Sequence, residues 1–86
     1  MLNKVKLALR ISTSAFDTEI TDLIASAKAD LGLVGIEVDE GEPLIARAII
    51  TYCRVNFGEP DDYERLKRSY DEQKAQLKSS LLYRGA

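Results

Sequence analysis

Apolar side chains recur along this chain three and four residues apart, and no credible strand exceeds a few residues. Leu2, Val5 and Leu9 predict a first helix over 2–10, with Lys4 and Lys6 beside the stripe. The pattern breaks at "ISTSAFD". There Ser14 and Asp17 have the spacing of a capping box, and Thr13 offers a second cap. Phe16, Ile20, Leu23, Ile24, Ala27 and Leu31 then line one face of a second helix, expected over 15–33. Glu19, Asp22, Lys28 and Asp30 lie opposite or beside that face. "GLVGI" closes it, with Gly35 suited to the left-handed position and Ile36 to folding back on the last turn.

The remaining pattern is two unlike helices. Pro43 suits the first turn of a third helix, expected over about 43–56, because its missing N–H has no partner to lose there. Glu42 before it is a poor cap by residue type, although its charge favours a helix start. Leu44, Ile45, Ala46, Ala48, Ile49, Ile50, Tyr52, Cys53 and Val55 leave only Arg47, Thr51 and Arg54 as a narrow polar strip. A helix apolar nearly all round packs on several sides, so this one is central. Gly58 and Pro60 stop it. A long charged fourth helix is expected over about 61–82, with Asp61 and Glu64 repeating the capping-box spacing. Its stripe is sparse: Tyr63, Leu66, Tyr70, Leu77 and Leu81, with Gln73 in line. The short connection "FGEPDD" makes the last two helices neighbours. The expectation is an all-α, single domain over 1–86: a small four-helix fold with a central apolar helix and a long charged C-terminal one.

Composition narrows the function. The 86 residues suit one domain, which at this size buries about two-thirds of its unfolded surface. A net charge of −2 argues against a protein whose main task is gripping a nucleic-acid backbone. There is no histidine, hence neither the commonest general base nor the commonest zinc ligand. The single cysteine, Cys53, cannot found a disulfide framework and reads as a buried small hydrophobe on the apolar helix. The N-terminus keeps Lys4, Lys6 and Arg10 where a signal peptide would be apolar. No run approaches the ~20 apolar residues needed to span a bilayer. A soluble intracellular protein, not associated with membrane, is therefore expected.

Charge is segregated along the chain. Residues 1–36 are balanced, residues 37–64 carry two basic and eight acidic side chains, and residues 65–86 carry six basic and two acidic. Helix-end chemistry accounts for part of this, since carboxylates favour N-termini and cations C-termini. A sharper reading sets the basic last helix of one copy against the acidic loops of the next. Two different patches then meet head to tail, and the contact closes into a ring if the rotation allows. On that reading the interface residues are Tyr63, Arg65, Lys67, Arg68, Tyr70 and Lys74, opposite Glu37, Asp39, Glu40 and Glu59. The tyrosines fit because their amphipathic rings are enriched at interfaces, although an intramolecular seam would use the same residues.

Catalytic and cofactor signals are missing from the sequence. The glycines sit singly at breaks rather than in a phosphate loop. "EVDEGE" lacks the ligand order of an EF-hand and reads as a surface turn. Asp61 and Asp62 read as helix caps rather than an acid–base pair. No catalytic, cofactor-binding or metal-binding residue is expected, and no enzyme. Two alternatives stay open: a small helical DNA-binding regulator, against which the acidic turn before the basic helix counts, and a monomeric module with a helix-in-groove partner.

One resemblance runs through nearly the whole chain. The order "VKLALRIS…FDTEITDLIASAKADL…EPLIARAIITYCRVNFGEPDDYERLKRSYDEQKAQL" resembles the small phage and prophage head–tail connector proteins, also called DNA-packaging or head-completion adaptors. It departs from them at Glu42, where such sequences often carry aspartate. The resemblance implies a structural all-α subunit that assembles as a homo-oligomeric ring below the portal protein. It also implies that the ring extends the DNA channel, with transient non-specific DNA contact, and docks tail or stopper proteins. The implied location is the head–tail junction of the virion, and the host cytoplasm during assembly.

Overall fold

The computed structural model describes residues 1–80. Four helices follow in order: α1 Leu2–Leu9, α2 Asp17–Leu33, α3 Pro43–Asn56 and α4 Tyr63–Ser79. The described residues contain no strand. This is the expected all-α fold. Leu81 and the expected helix end at 82 lie outside the described residues.

The helix starts differ from expectation, for one reason: neither capping box forms. At α2, Ser14 contributes only its backbone carbonyl, which accepts from the Asp17 N–H at 3.2 Å. The Thr13 hydroxyl is taken by the Ala15 N–H at 3.2 Å, so 13–16 make a turn rather than a helical first turn. At α4 the cap position falls to Asp62, which makes no side-chain cap bond and pairs instead with Arg65. Pro43 does open α3, with Glu42 as an extended cap residue lacking a side-chain bond.

The helix ends follow the sequence more closely. Gly35 takes φ +84°, its N–H reaches the Gly32 carbonyl at 3.0 Å, and the Ile36 N–H reaches that of Leu31 at 3.2 Å. That is a Schellman closure, and it drops Ile36 into the core. α1 closes in the same way but with Arg10 in the left-handed position, φ 58°. A side chain there costs more than glycine would.

α3 is central, as its pattern demanded. α1 packs on α2 and α3, α2 packs on α3, and α4 packs on α3. Val5, Ile20, Ala27, Leu31, Ile45, Ala48, Ile49 and Cys53 are fully buried between them. The polar strip is narrower than the sequence suggested, because Thr51 is buried too. Its hydroxyl donates to the Arg47 carbonyl at 3.0 Å, which removes the cost of burying it. The sparse stripe of α4, as far as it is described, finds its neighbour inside the subunit: Leu66, Tyr70 and Leu77 are buried, and Tyr63 stands half-exposed at the helix start. Each fully buried leucine of this seam contributes about 1.5–3 kcal/mol.

Candidate functional site

The turn joining α3 to α4 gathers the residues of the candidate site. Gly58, in the left-handed region at φ 66°, redirects the chain after Asn56, and Pro60 prevents the helix from continuing. Two adjoining clefts result. One, of about 360 Å³, is lined by Val55, Asn56, Gly58, Glu59, Pro60 and Tyr63. The second, of about 160 Å³, shares Val55, Asn56 and Tyr63 and adds Asp30, Tyr52, Lys67, Tyr70 and Lys74.

The inner cleft is built on a polar network. The Tyr70 hydroxyl donates to Asp30 Oδ2, and Lys74 Nζ donates to the same oxygen at 3.1 Å while sitting 5.3 Å from the Tyr70 ring centroid. Tyr52 meets the Tyr70 ring edge-on at 5.3 Å. The Tyr70 bond holds the Asp30 carboxyl below its ordinary range, with Lys74 reinforcing it against partial burial. Burial, with the Asp30 carboxylate beside it, pushes the Tyr70 phenol far up. Tyr70 is thus a structural pin that ties α4 to α2 across α3. The sequence suggests it as an interface residue; within the subunit it is 3% exposed, with its side chain set against Tyr52 of α3 and Asp30 of α2.

The other expected interface residues divide by whether they are already engaged. Lys74 is held by Asp30. Lys67 bonds both carboxylate oxygens of Asp71, at 2.7 and 2.9 Å, and that bond raises its pKa. Arg65 pairs with Asp62. Among the described residues Arg68 has no ion-pair partner. The acidic set is split between two places. Glu59 lines the outer cleft, whereas Glu37, Asp39 and Glu40 lie in the α2–α3 loop. There Asp39 Oδ1 accepts from the Gly41 N–H at 2.9 Å and Glu40 meets Lys28 at 2.9 Å and the N-terminal amine at 3.9 Å. Much of the charge segregation is therefore used within the subunit. Asp30 and Tyr52 were not expected at the site. Asp30 could have been suspected as a carboxylate one residue from the buried Leu31, but its partner forty residues on left no local trace.

Cys53 is buried, and burial pushes its thiol up to about 11, the behaviour of a packing residue. Among the described residues no group of histidine, cysteine and carboxylate side chains is arranged to hold a metal ion. No helix among them is long and apolar enough to cross a membrane. A family model described as phage connector protein matches residues 1–83. No curated protein and no solved structure matches the chain.

Proposed function

From the premise that this chain belongs to the phage connector protein family, which gives it a structural role in the head–tail connection, we propose that it is an adaptor subunit. It assembles as a ring below the portal, extends the DNA channel and docks tail or stopper proteins. The observation that carries this reading is the match to the family along almost the entire chain. The fold supports it in kind: three helices enclose the core around α3, while the charged flanks of α4 and the α3–α4 turn stay open to partners. The interface residues of this reading are the exposed Tyr63, Arg68, Glu59, Glu37 and Asp39. Arg65, Lys67, Lys74 and Glu40 belong to it only insofar as their internal pairs are exchanged for external ones, which costs little at a surface.

The test is native mass spectrometry and negative-stain electron microscopy of the protein alone and mixed with the portal protein of the same phage. Closed rings in either sample are the expected result. A chain that stays monomeric at every concentration and salt, and never binds the portal, would refute the adaptor reading. A salt-sensitive shift of short duplex DNA by an isolated dimer would favour the regulator instead.

A further inference from the structure

A second surface, on α1, has the opposite charge character to the α3–α4 turn. Leu7 is 78% exposed on α1, one of the two most exposed large apolar side chains described. It lines a cleft of about 310 Å³ with Lys6, Arg10, Ile11 and Ser12. The charged lining is purely basic. Lys6 is satisfied by Asp17 at 2.8 Å, but neither Arg10 nor the neighbouring Lys4 has an ion-pair partner among the described residues. The outer cleft at the turn, of about 360 Å³, has a purely acidic charged lining, Glu59, over an apolar floor of Val55, Pro60 and Tyr63. Asp61 and Glu64 beside it are likewise without ion-pair partners among the described residues.

A short chain of contacts links these two surfaces. Lys6 touches Asp17 at the start of α2, and Phe16 just before that start packs edge-on against Phe57 at 5.5 Å, next to the turn. They belong to different helix pairs, since α1 packs on α2 and α3 whereas α4 packs on α3. Cyclic symmetry relates copies by rotation about one axis, so a ring contact joins two unlike patches. The two clefts are unlike patches of this kind, complementary in charge and in apolar content.

We infer that Leu7 of one copy seats in the Tyr63 cleft of the next, with Arg10 facing Glu59. This rests on the ring proposed above and names the surfaces that build it. Arg10 also occupies a left-handed position, φ 58°, that glycine fills more easily. That makes a clean variant available. Arg10→Gly folds at least as stably as the parent by thermal melt, yet associates on the order of tenfold more weakly by sedimentation velocity. Leu7→Asp weakens association at least as much. Glu59→Arg does the same, and the Arg10→Glu, Glu59→Arg double variant recovers most of the loss. Cysteines placed at 7 and 59 in a Cys53→Ala background link neighbouring copies and not one chain to itself. Rings that form normally in Arg10→Gly and Leu7→Asp, with no link between 7 and 59, overturn this contact and leave the ring standing. A parent protein that stays monomeric both alone and with portal overturns the contact and the ring together.

Discussion

At the scale of single residues, burial decides which polar groups serve the fold. Tyr70, Asp30 and Lys74 form one network, and its protonation has a definite pH signature. The Asp30 carboxyl is held below its unfolded value by the Tyr70 bond, so its contribution is present above about pH 4 and is lost as pH falls through the lowered value. The Cys53 thiol and Tyr70 phenol shift upward, so their contributions are complete below the unfolded values and decline as pH rises past them. For Cys53 the decline falls between its ordinary value of 9.0 and about 11. Urea midpoints measured from pH 3 to 11 should therefore drop at both ends. Tyr70→Phe should flatten the acid limb and cost about 1–2 kcal/mol at neutral pH. Gln73 behaves oppositely. Its Oε1 is buried with no hydrogen-bond partner. Replacing it by leucine should raise stability by about 1 kcal/mol, read from the same urea midpoints. An unchanged or lower midpoint in Gln73→Leu would show that the amide finds a partner in solution.

At the scale of elements, periodicity was a good guide to which helices exist and a poor one to how they begin. The stripe Phe16, Ile20, Ile24, Ala27 and Leu31 could be read directly, because an amphipathic face is a property of spacing alone. The caps could not, because Ser14–Asp17 and Asp61–Glu64 have capping-box spacing, yet in the fold Thr13 bonds Ala15 and Asp62 pairs with Arg65 instead. The fourth helix shows the same limit at the site. A stripe of Tyr63, Leu66, Tyr70 and Leu77 is consistent with docking on a neighbour or on α3, and spacing cannot tell which body supplies the groove. What decides is that α3 is apolar on several sides and needs covering by α4 as well as by α1 and α2. Leu77→Ala, at a position 2% exposed, should accordingly cost about 2–5 kcal/mol and unzip the C-terminal half of the helix first. Amide exchange should speed up along residues 70–79 while α2 and α3 stay protected. Uniform loss of protection would mean that α4 is part of a single cooperative unit with them.

At the scale of the whole molecule, paired and unpaired charges should respond differently to salt. Those within the subunit (Lys6–Asp17, Lys28–Glu40, Arg65–Asp62, Lys67–Asp71) are largely surface pairs, each worth about 0–1 kcal/mol and formed between flexible side chains. Screening them should hardly move the melting temperature of the isolated subunit, whose stability comes from the apolar core around α3. Among the described residues the charges without an ion-pair partner include Lys4 and Arg10 at α1 and Glu59, Asp61 and Glu64 at the α3–α4 turn, and a neighbour seated as proposed would feel these. Attraction between such patches acts over a Debye length, about 10 Å at 0.1 M salt and 3 Å at 1 M. It speeds encounter and fixes register more than it deepens binding. Raising sodium chloride from 0.05 to 1 M should therefore slow ring formation several-fold in stopped-flow light scattering, while the thermal midpoint of the monomer shifts by no more than a few degrees. If salt accelerates assembly instead, apolar seating of Leu7 and Tyr63 outweighs charge at the contact. The head-to-tail order would then rest on shape, with Arg10 and Glu59 serving only to exclude wrong registers.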